Sequence, residues 1–336
     1  MPRFNTRVVL PGPYQAVLEE ETLPAALEST QVLIKNRYSL ISPGTELAMF
    51  TQLHIGFGDA RVSWARYPYY PGYATVGHVE AVGTAVEGLT VGDTLVYLGA
   101  HQAYGLLDQG DLWVRVPQAL PLPWAPFAPL AQIAHTARWV SQAQPGETVA
   151  VIGLGLVGNL AAQLFGTFSA SVIGLDLIPF RRDLAARVGI GQVCDPGDDL
   201  TGTIKAATGG RGADTIVEAT GDPGLITPAL QAVRPRGEVI LLGSPRGSAT
   251  VDMYHDIHKT GAVLKGAHVG LLPRRATDGG LDRQTVMGQM LELIQAKRLV
   301  VEPLISEVIS PRQIEVGYRA VLEEKGRVLT LLIRWS

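Results

Sequence analysis

The stretch Val149-Ala150-Val151-Ile152-Gly153-Leu154-Gly155-Leu156-Val157-Gly158 constrains this chain more than any other. Its first four residues are small or branched and apolar, as in a strand buried on both faces. The strand runs into G-x-G-x-x-G, and a helical pattern follows from Asn159 to about Phe168. A turn of this kind presents backbone N–H groups and a helix N-terminus to a pyrophosphate. Gly153 permits the tight turn, Gly155 lets the backbone approach phosphate, and Gly158 lets helix and strand pack closely. A second strand, Ser171-Val172-Ile173-Gly174-Leu175, then ends at Asp176, eighteen residues after Gly158. A carboxylate about 20 residues beyond the glycines binds adenosine ribose hydroxyls in dinucleotide sites. An ordinary glycine-rich turn leaves the position of that acid unexplained. The pattern predicts a dinucleotide site on a parallel sheet.

At 336 residues the chain exceeds one typical domain, and two are expected. A hydrophobic content of 46% with 18% charged residues suits a globular protein with a large core. The net charge of −3 gives no electrostatic reason to expect nucleic acid or an anionic membrane as partner. The single cysteine, Cys194, excludes an intrachain disulfide and a cysteine-rich zinc lobe. It suits a reducing cytoplasm, the expected compartment. No apolar run reaches the roughly 18 residues of a membrane span, and the first residues lack a signal-peptide core.

The first ~125 residues read as short strands between turns: Thr6–Leu10, Gln31–Tyr38, Val76–Val82, Thr94–Leu98 and Leu112–Val116. Gly and Pro punctuate them, which suggests an antiparallel, barrel-like domain. A helix over about Leu130–Ala143 leads to the glycine strand. Strands and helices then alternate as βαβ units require. Helices are expected at Pro179–Val188, Asp199–Thr208 and Leu225–Val233. Strands are expected at Gln192–Cys194, Asp214–Ala219, Val239–Leu242 and Val263–Gly266. Beyond these, Val286–Ile294 has helical spacing, and two short segments close the chain.

This order of pieces resembles the medium-chain dehydrogenase/reductase superfamily, the alcohol dehydrogenase-like proteins. The resemblance rests on Gly44-Thr45-Glu46, Pro71-Gly72, Gly83, Gly92-Asp93, His135-Thr136, the glycine fingerprint, Asp176, Ala219-Thr220-Gly221 and Lys265-Gly266-Ala267. It implies an α/β protein with a GroES-like β-rich catalytic domain at residues 1–125 and 270–336. A Rossmann NAD-binding domain, a doubly wound parallel sheet, is expected at residues 126–269. Relatives usually dimerise through their Rossmann sheet edges, so a homodimer is expected.

The departures from that pattern bear on the chemistry. Zinc-dependent members carry a cysteine before a Gly-Thr-Asp-like triplet; here Pro43 precedes Gly44-Thr45-Glu46. Their Gly-His-Glu motif is Gly72-Tyr73-Ala74 here, and Ala128 to Gln132 offer no third ligand. Catalytic zinc needs three ligands from His, Cys or carboxylate, so the expectation is no zinc. The runs Ser39-Leu40-Ile41-Ser42-Pro43-Gly44-Thr45-Glu46 and Tyr69-Tyr70-Pro71-Gly72-Tyr73 are most similar to a zinc-lacking branch. That branch includes the bacteriochlorophyllide a C-3 hydroxyethyl dehydrogenases; the branch is carried over, not the substrate.

The resemblance implies hydride transfer between NAD(H) and an alcohol or ketone. Without zinc, hydrogen-bond donors must stabilise the substrate oxygen. Thr45 matches the hydroxyl residue that touches this oxygen in relatives, and Tyr73 takes the histidine ligand position. Two readings of Tyr73 stand: proton donor to substrate, or a bulky plug in the lost metal site. Glu46 either orients a proton relay or is the buried partner of an arginine. His101 ends a strand that lines the cleft in relatives, as a proton relay or a satisfied histidine. Thr136 resembles the threonine under the nicotinamide; His135 is expected to pack in its helix. His255 and His258 are read as a solvated helix face without a third ligand, and His54 and His78 as structural.

Asp176 repels a 2′-phosphate and accepts bonds from free ribose hydroxyls, which favours NAD; Arg181 and Arg182 leave NADP open. Arg181 corresponds to a basic residue near the ribose in NAD-using relatives. Val157, Thr220, Gly243, Ser244 and Ala267 fall where relatives touch the dinucleotide, and Arg327 resembles an arginine that reaches the pyrophosphate. The aromatic run Trp64, Tyr67, Tyr69, Tyr70 and Tyr73 either lines a pocket for a ring-bearing small molecule or packs a loop. Two other functions fit the same residues. One is a zinc-free reductase of activated C=C bonds or quinones. The other is a dinucleotide-binding protein without turnover.

Overall fold

In the computed structural model, which describes residues 3–168, 170–276 and 280–335, the chain divides into two compact units. One comprises Met1–Pro129, Arg274–Ala296 and Ile305–Ser336; the other comprises Leu130–Pro273 and Lys297–Leu304. No described helix is long and apolar enough to cross a membrane.

The first unit opens with strands β1 (Phe4–Val9), β2 (Val17–Thr22) and β3 (Gln31–Leu40), then helix α1 (Thr45–Phe50). Strands β4 (Thr75–Val82), β5 (Thr94–Tyr97), β6 (Tyr104–Asp108) and β7 (Trp113–Arg115) follow. Strand β2 reads as a solvated charge run, Leu18-Glu19-Glu20-Glu21, but it pairs antiparallel with β1, and Arg7 bridges Glu19 and Glu21 across the pair. Helix α1 has no apolar stripe to reveal it, because it is only six residues long and buried from Glu46 to Phe50.

The second unit is the predicted βαβ array. Helix α2 (Phe127–Val140) enters it, and β8 (Thr148–Ile152) carries the glycine turn into α3 (Leu156–Thr167). Then come β9 (Ser171–Leu175), α4 (Pro179–Arg187), β10 (Gln192–Cys194), α5 (Leu200–Ala207), β11 (Ala213–Glu218), α6 (Ile226–Ala232), β12 (Val233–Leu241) and β13 (Val263–Gly266). The six strands are parallel in the order β10-β9-β8-β11-β12-β13. Strand β8 sits inside this sheet, with Val149, Ala150 and Val151 fully buried. Burying each valine fully is worth about 1.5–3 kcal/mol, which explains the uninterrupted apolar run. Strand β12 starts six residues before its expected start at Val239, because its register with β11 shifts and lets Val233 pair with Ala213.

Helix α7 (Arg283–Gln295), β14 (Ile305–Ile309), α8 (Ile314–Glu323) and β15 (Thr330–Arg334) return to the first unit. Strand β15 pairs antiparallel with β3 and parallel with β14, giving a sheet ordered β14-β15-β3-β4-β5-β7 with β6 also on β3. Its core gathers Ile41, Met49, Phe50, Tyr318, Leu331 and Ile333. The return therefore places α8 and β15 against the segment that holds Gly44-Thr45-Glu46.

Candidate active site and dinucleotide cradle

Glu46 lies in the first turn of α1 and is fully buried, as are His101, Ser39 and Tyr318. Its Oε1 accepts the Ser42 backbone N–H at 3.0 Å. Its Oε2 accepts Tyr318 Oη at 2.6 Å and pairs with His101 Nε2 at 2.8 Å. The other ring nitrogen of His101, Nδ1, is 2.8 Å from Ser39 Oγ. Trp335 Nε1 donates to that same Ser39 Oγ at 2.9 Å. Indole N–H is donor only, so Ser39 must accept there and its own proton is free for His101 Nδ1. An ionised carboxylate only accepts, so His101 Nε2 is the donor in its contact with Glu46. The buried partner of Glu46 is thus a histidine, not an arginine.

Tyr73 joins this cluster through Ser42: Tyr73 Oη and Ser42 Oγ are 2.6 Å apart. Thr45 acts on the phenol in the same sense as Ser42, lowering it. Burial, with the Glu46 charge adding to it, pushes the Tyr73 phenol up to about 12, against the opposing pull of Ser42 and Thr45. A phenol in that state is a proton donor at neutral pH and not a base. Thr45, Glu46, Tyr73 and His101 are therefore gathered into one hydroxyl–carboxylate network. Ser42 and Tyr318 complete the network without a motif of their own. Ser42 lies in the quoted run before Gly44, and Tyr318 had only its helical spacing to Ile314 and Val321 to mark it.

In the second unit the glycine turn is tight at Gly153 and Gly158 and open at Gly155. Gly153 has φ +88°, and a Cβ on Gly158 would lie 1.8 Å from the Gly153 carbonyl oxygen. A Cβ on Gly155 would meet nothing within 4 Å, so this glycine is kept for space rather than for packing. Gly155 is also the N-cap of α3 and makes no side-chain cap, and half-buried Val157 lies in the first helical turn. Asp176 braces the turn: Oδ2 accepts Leu154 N at 2.8 Å, and Oδ1 accepts Ile178 N at 2.9 Å. Arg181 Nη1 is 3.5 Å from the same Oδ2, and the buried Arg181 Nε has no partner. Arg182 is occupied by Asp195 and by the Asp176 and Leu177 carbonyls.

Thr220, Gly243 and Ser244 follow the C-terminal ends of β11 and β12, where ligands bind in open parallel sheets. Glu218, a residue the sequence reading passed over, holds both loops. Its carboxylate accepts Thr220 N at 2.6 Å and Gly221 N at 3.1 Å, while its carbonyl accepts Gly243 N at 2.8 Å. Ala267 is buried just past β13, and Thr136 is buried in α2 with its hydroxyl on Gln132 O. Arg327 lies in the first unit, exposed after α8 and paired with Glu324. His135 is half-buried with an unpartnered Nδ1. His255 and His258 are exposed and pack on Tyr254, as a solvated face should. Cys194 ends β10, half-buried.

A family model described as zinc-binding dehydrogenase matches residues 140–283. The chain is 29% identical to an L-threonine 3-dehydrogenase of Caldanaerobacter subterraneus subsp. tengcongensis over 171 residues, 50% of this chain and 48% of that one. That match therefore spans about half the relative's length. An L-threonine 3-dehydrogenase of Bacillus subtilis is 25% identical, with 95% of this chain and 96% of the relative covered. The crystal structure of a 2R,3R-butanediol dehydrogenase from Bacillus subtilis superposes with a TM-score of 0.81 at 20% identity, over 98% of this chain and 99% of that one.

Zinc is the metal that the matching family description implies, and the donors here do not fit it. Glu46 has donors on both oxygens and His101 is engaged at both nitrogens. Among the described residues, no three His, Cys, Asp or Glu side chains come together in a metal-holding group. A catalytic zinc needs three.

Proposed function

We propose that this chain, a member of the medium-chain dehydrogenase/reductase superfamily, is a zinc-independent oxidoreductase that transfers hydride between NAD(H) and an alcohol or ketone. The observation that carries the reading is the hydrogen-bonded Tyr73–Ser42 hydroxyl pair beside the buried Glu46–His101 pair, with Tyr73 at the position where the resemblance puts a histidine ligand of zinc-dependent relatives. The zinc-lacking branch is the one whose Ser-x-Gly-Thr-Glu and Pro-Gly-Tyr signatures match.

The Gly153–Gly158 turn, Val157, Asp176, Arg181, Thr220, Gly243, Ser244, Ala267 and Thr136 are assigned to the dinucleotide; a pyrophosphate role for Arg327 rests on the resemblance alone, since Arg327 is paired with Glu324. When bound, the nicotinamide supplies or accepts the hydride. The chain's own part is to hold the substrate oxygen and handle its proton. Tyr73, protonated at neutral pH, donates to that oxygen, and Thr45 gives a second hydrogen bond. In reduction the phenol proton stabilises the charge that develops on oxygen. Glu46 and His101 keep the cluster in place. With Arg182 occupied and Asp176 beside the turn, NAD is favoured over NADP.

Trp64 leans on His54 and Tyr69 yet stays 48% exposed, and Leu53 and Ile55, which flank His54 in sequence, are exposed too. This apolar surface suits a ring-bearing small molecule. A homodimer joined at β13, the edge strand that exposes Val263 and Leu264, completes the reading. The test is turnover of a panel containing cyclohexanone, acetophenone, L-threonine and a quinone, with NADH or NADPH. Ketone reduction preferring NADH supports the proposal. Quinone reduction alone, or cofactor binding without turnover, overturns it.

A further inference from the structure

We propose that Tyr318 is a positioning residue of the same site: its hydroxyl fixes the Glu46 carboxylate, which holds Ser42 and so aims the Tyr73 phenol. The inference rests on the assignment of Tyr73 to the substrate oxygen.

Glu46 is fully buried, so its charge depends on the donors around it. Oε1 has the Ser42 N–H, and Oε2 has His101 and Tyr318. Tyr318 gives the shorter of the two contacts on Oε2, from a helix 272 residues away. Burial and the neighbouring carboxylate hold its phenol well above the usual range, so it remains a donor. Three hydrogen bonds then run in series: Tyr318 Oη to Glu46 at 2.6 Å, Ser42 N to Glu46 at 3.0 Å, and Ser42 Oγ with Tyr73 Oη at 2.6 Å. For Tyr73 to donate to substrate, its oxygen must accept from Ser42. The orientation of Ser42 therefore decides where the phenol proton points. Without the Tyr318 hydroxyl, Oε2 keeps only His101, and the carboxylate can turn away from the Ser42 amide. The Tyr318 ring separately stacks on Phe50, centroids 5.2 Å apart at 18°. Tyr318→Phe keeps that packing and removes only the donor.

The experiment measures kcat and KM for NADH-linked reduction of cyclohexanone or acetophenone, whichever turns over faster. Wild type, Tyr318→Phe, Ser42→Ala, Tyr73→Phe and the Tyr318→Phe/Tyr73→Phe pair are compared. In Tyr318→Phe and Ser42→Ala, kcat falls about tenfold with KM little changed, as misalignment of a reacting group produces. In the Tyr73→Phe background, Tyr318→Phe has no further effect, because residues acting through one another are non-additive. Unchanged kcat in both Tyr318→Phe and Ser42→Ala, with Tyr73→Phe impaired, overturns this inference alone. An equal fall with and without Tyr73 overturns it too. Full turnover by Tyr73→Phe, or none by wild type on either ketone, overturns the underlying assignment and this inference with it.

Discussion

Gly155→Ala separates what the glycine turn does for folding from what it does for binding. Gly155 has φ −58° and ψ 179°, an extended conformation that alanine adopts without strain. Apart from its own chain neighbours, nothing lies within 4 Å of the added methyl. The folded state therefore pays nothing, while the unfolded chain loses freedom. Stability is expected to hold or rise, by about 0.4–1 kcal/mol. The methyl does fill the space where backbone must approach a pyrophosphate, and NADH affinity is expected to fall tenfold or more, about 1.4 kcal/mol. Gly158→Ala is the contrast. Its Cβ falls 1.8 Å from a backbone oxygen, so the helix and strand must move apart and folding suffers as well. Thermal unfolding paired with NADH fluorescence titration reads both quantities. If Gly155→Ala binds NADH as tightly as wild type, the turn is not the phosphate cradle and the dinucleotide argument fails.

Other consequences follow from the same contacts. Tyr73→Phe removes the donor to the substrate oxygen, and kcat is expected to drop by about 10²–10⁴ while NADH affinity is unchanged. Because the Tyr73 phenol is raised to about 12, its ionisation leaves kcat untouched from neutrality to about pH 10; an alkaline loss below its ordinary value that vanishes in Tyr73→Phe would count against the assignment. His101→Ala removes one of three hydrogen bonds from buried Glu46 and is expected to cost about 1–3 kcal/mol, read as a lowered Tm in thermal unfolding. Asp214, held below the usual carboxylate range chiefly by Arg211, with the Thr148 amide and Arg234 adding, stabilises the fold above that range. That contribution disappears as pH falls through its depressed value, so Asp214→Asn should flatten the acid limb of a Tm–pH curve.

The second unit was legible because its sheet is parallel and its inner strands β8 and β11 are buried on both faces. Strands β8, β9, β10 and β13 appear as apolar or branched segments at their expected places, and the glycines and Asp176 mark the turn. The first unit was less so. Helix α1 is buried all round, and β2 hides in a run of glutamates that pair across the strand with Arg7. At the site, local motifs named Thr45, Glu46 and Tyr73, since each sits within a short signature. Tyr318 and Trp335 could not be named that way. They reach Glu46 and Ser39 only after β15 pairs with β3, a long-range contact that leaves no local pattern. Ser42 escaped for another reason: its role is set by one 2.6 Å contact with a residue 31 positions away.

Ketone reduction by the purified chain, measured with NADH before and after exhaustive chelation and alongside its metal content, bears most directly on the hydroxyl cluster. The account expects turnover to survive unchanged, with metal far below one ion per chain. A stoichiometric zinc whose removal abolishes reduction and whose return restores it would contradict the account.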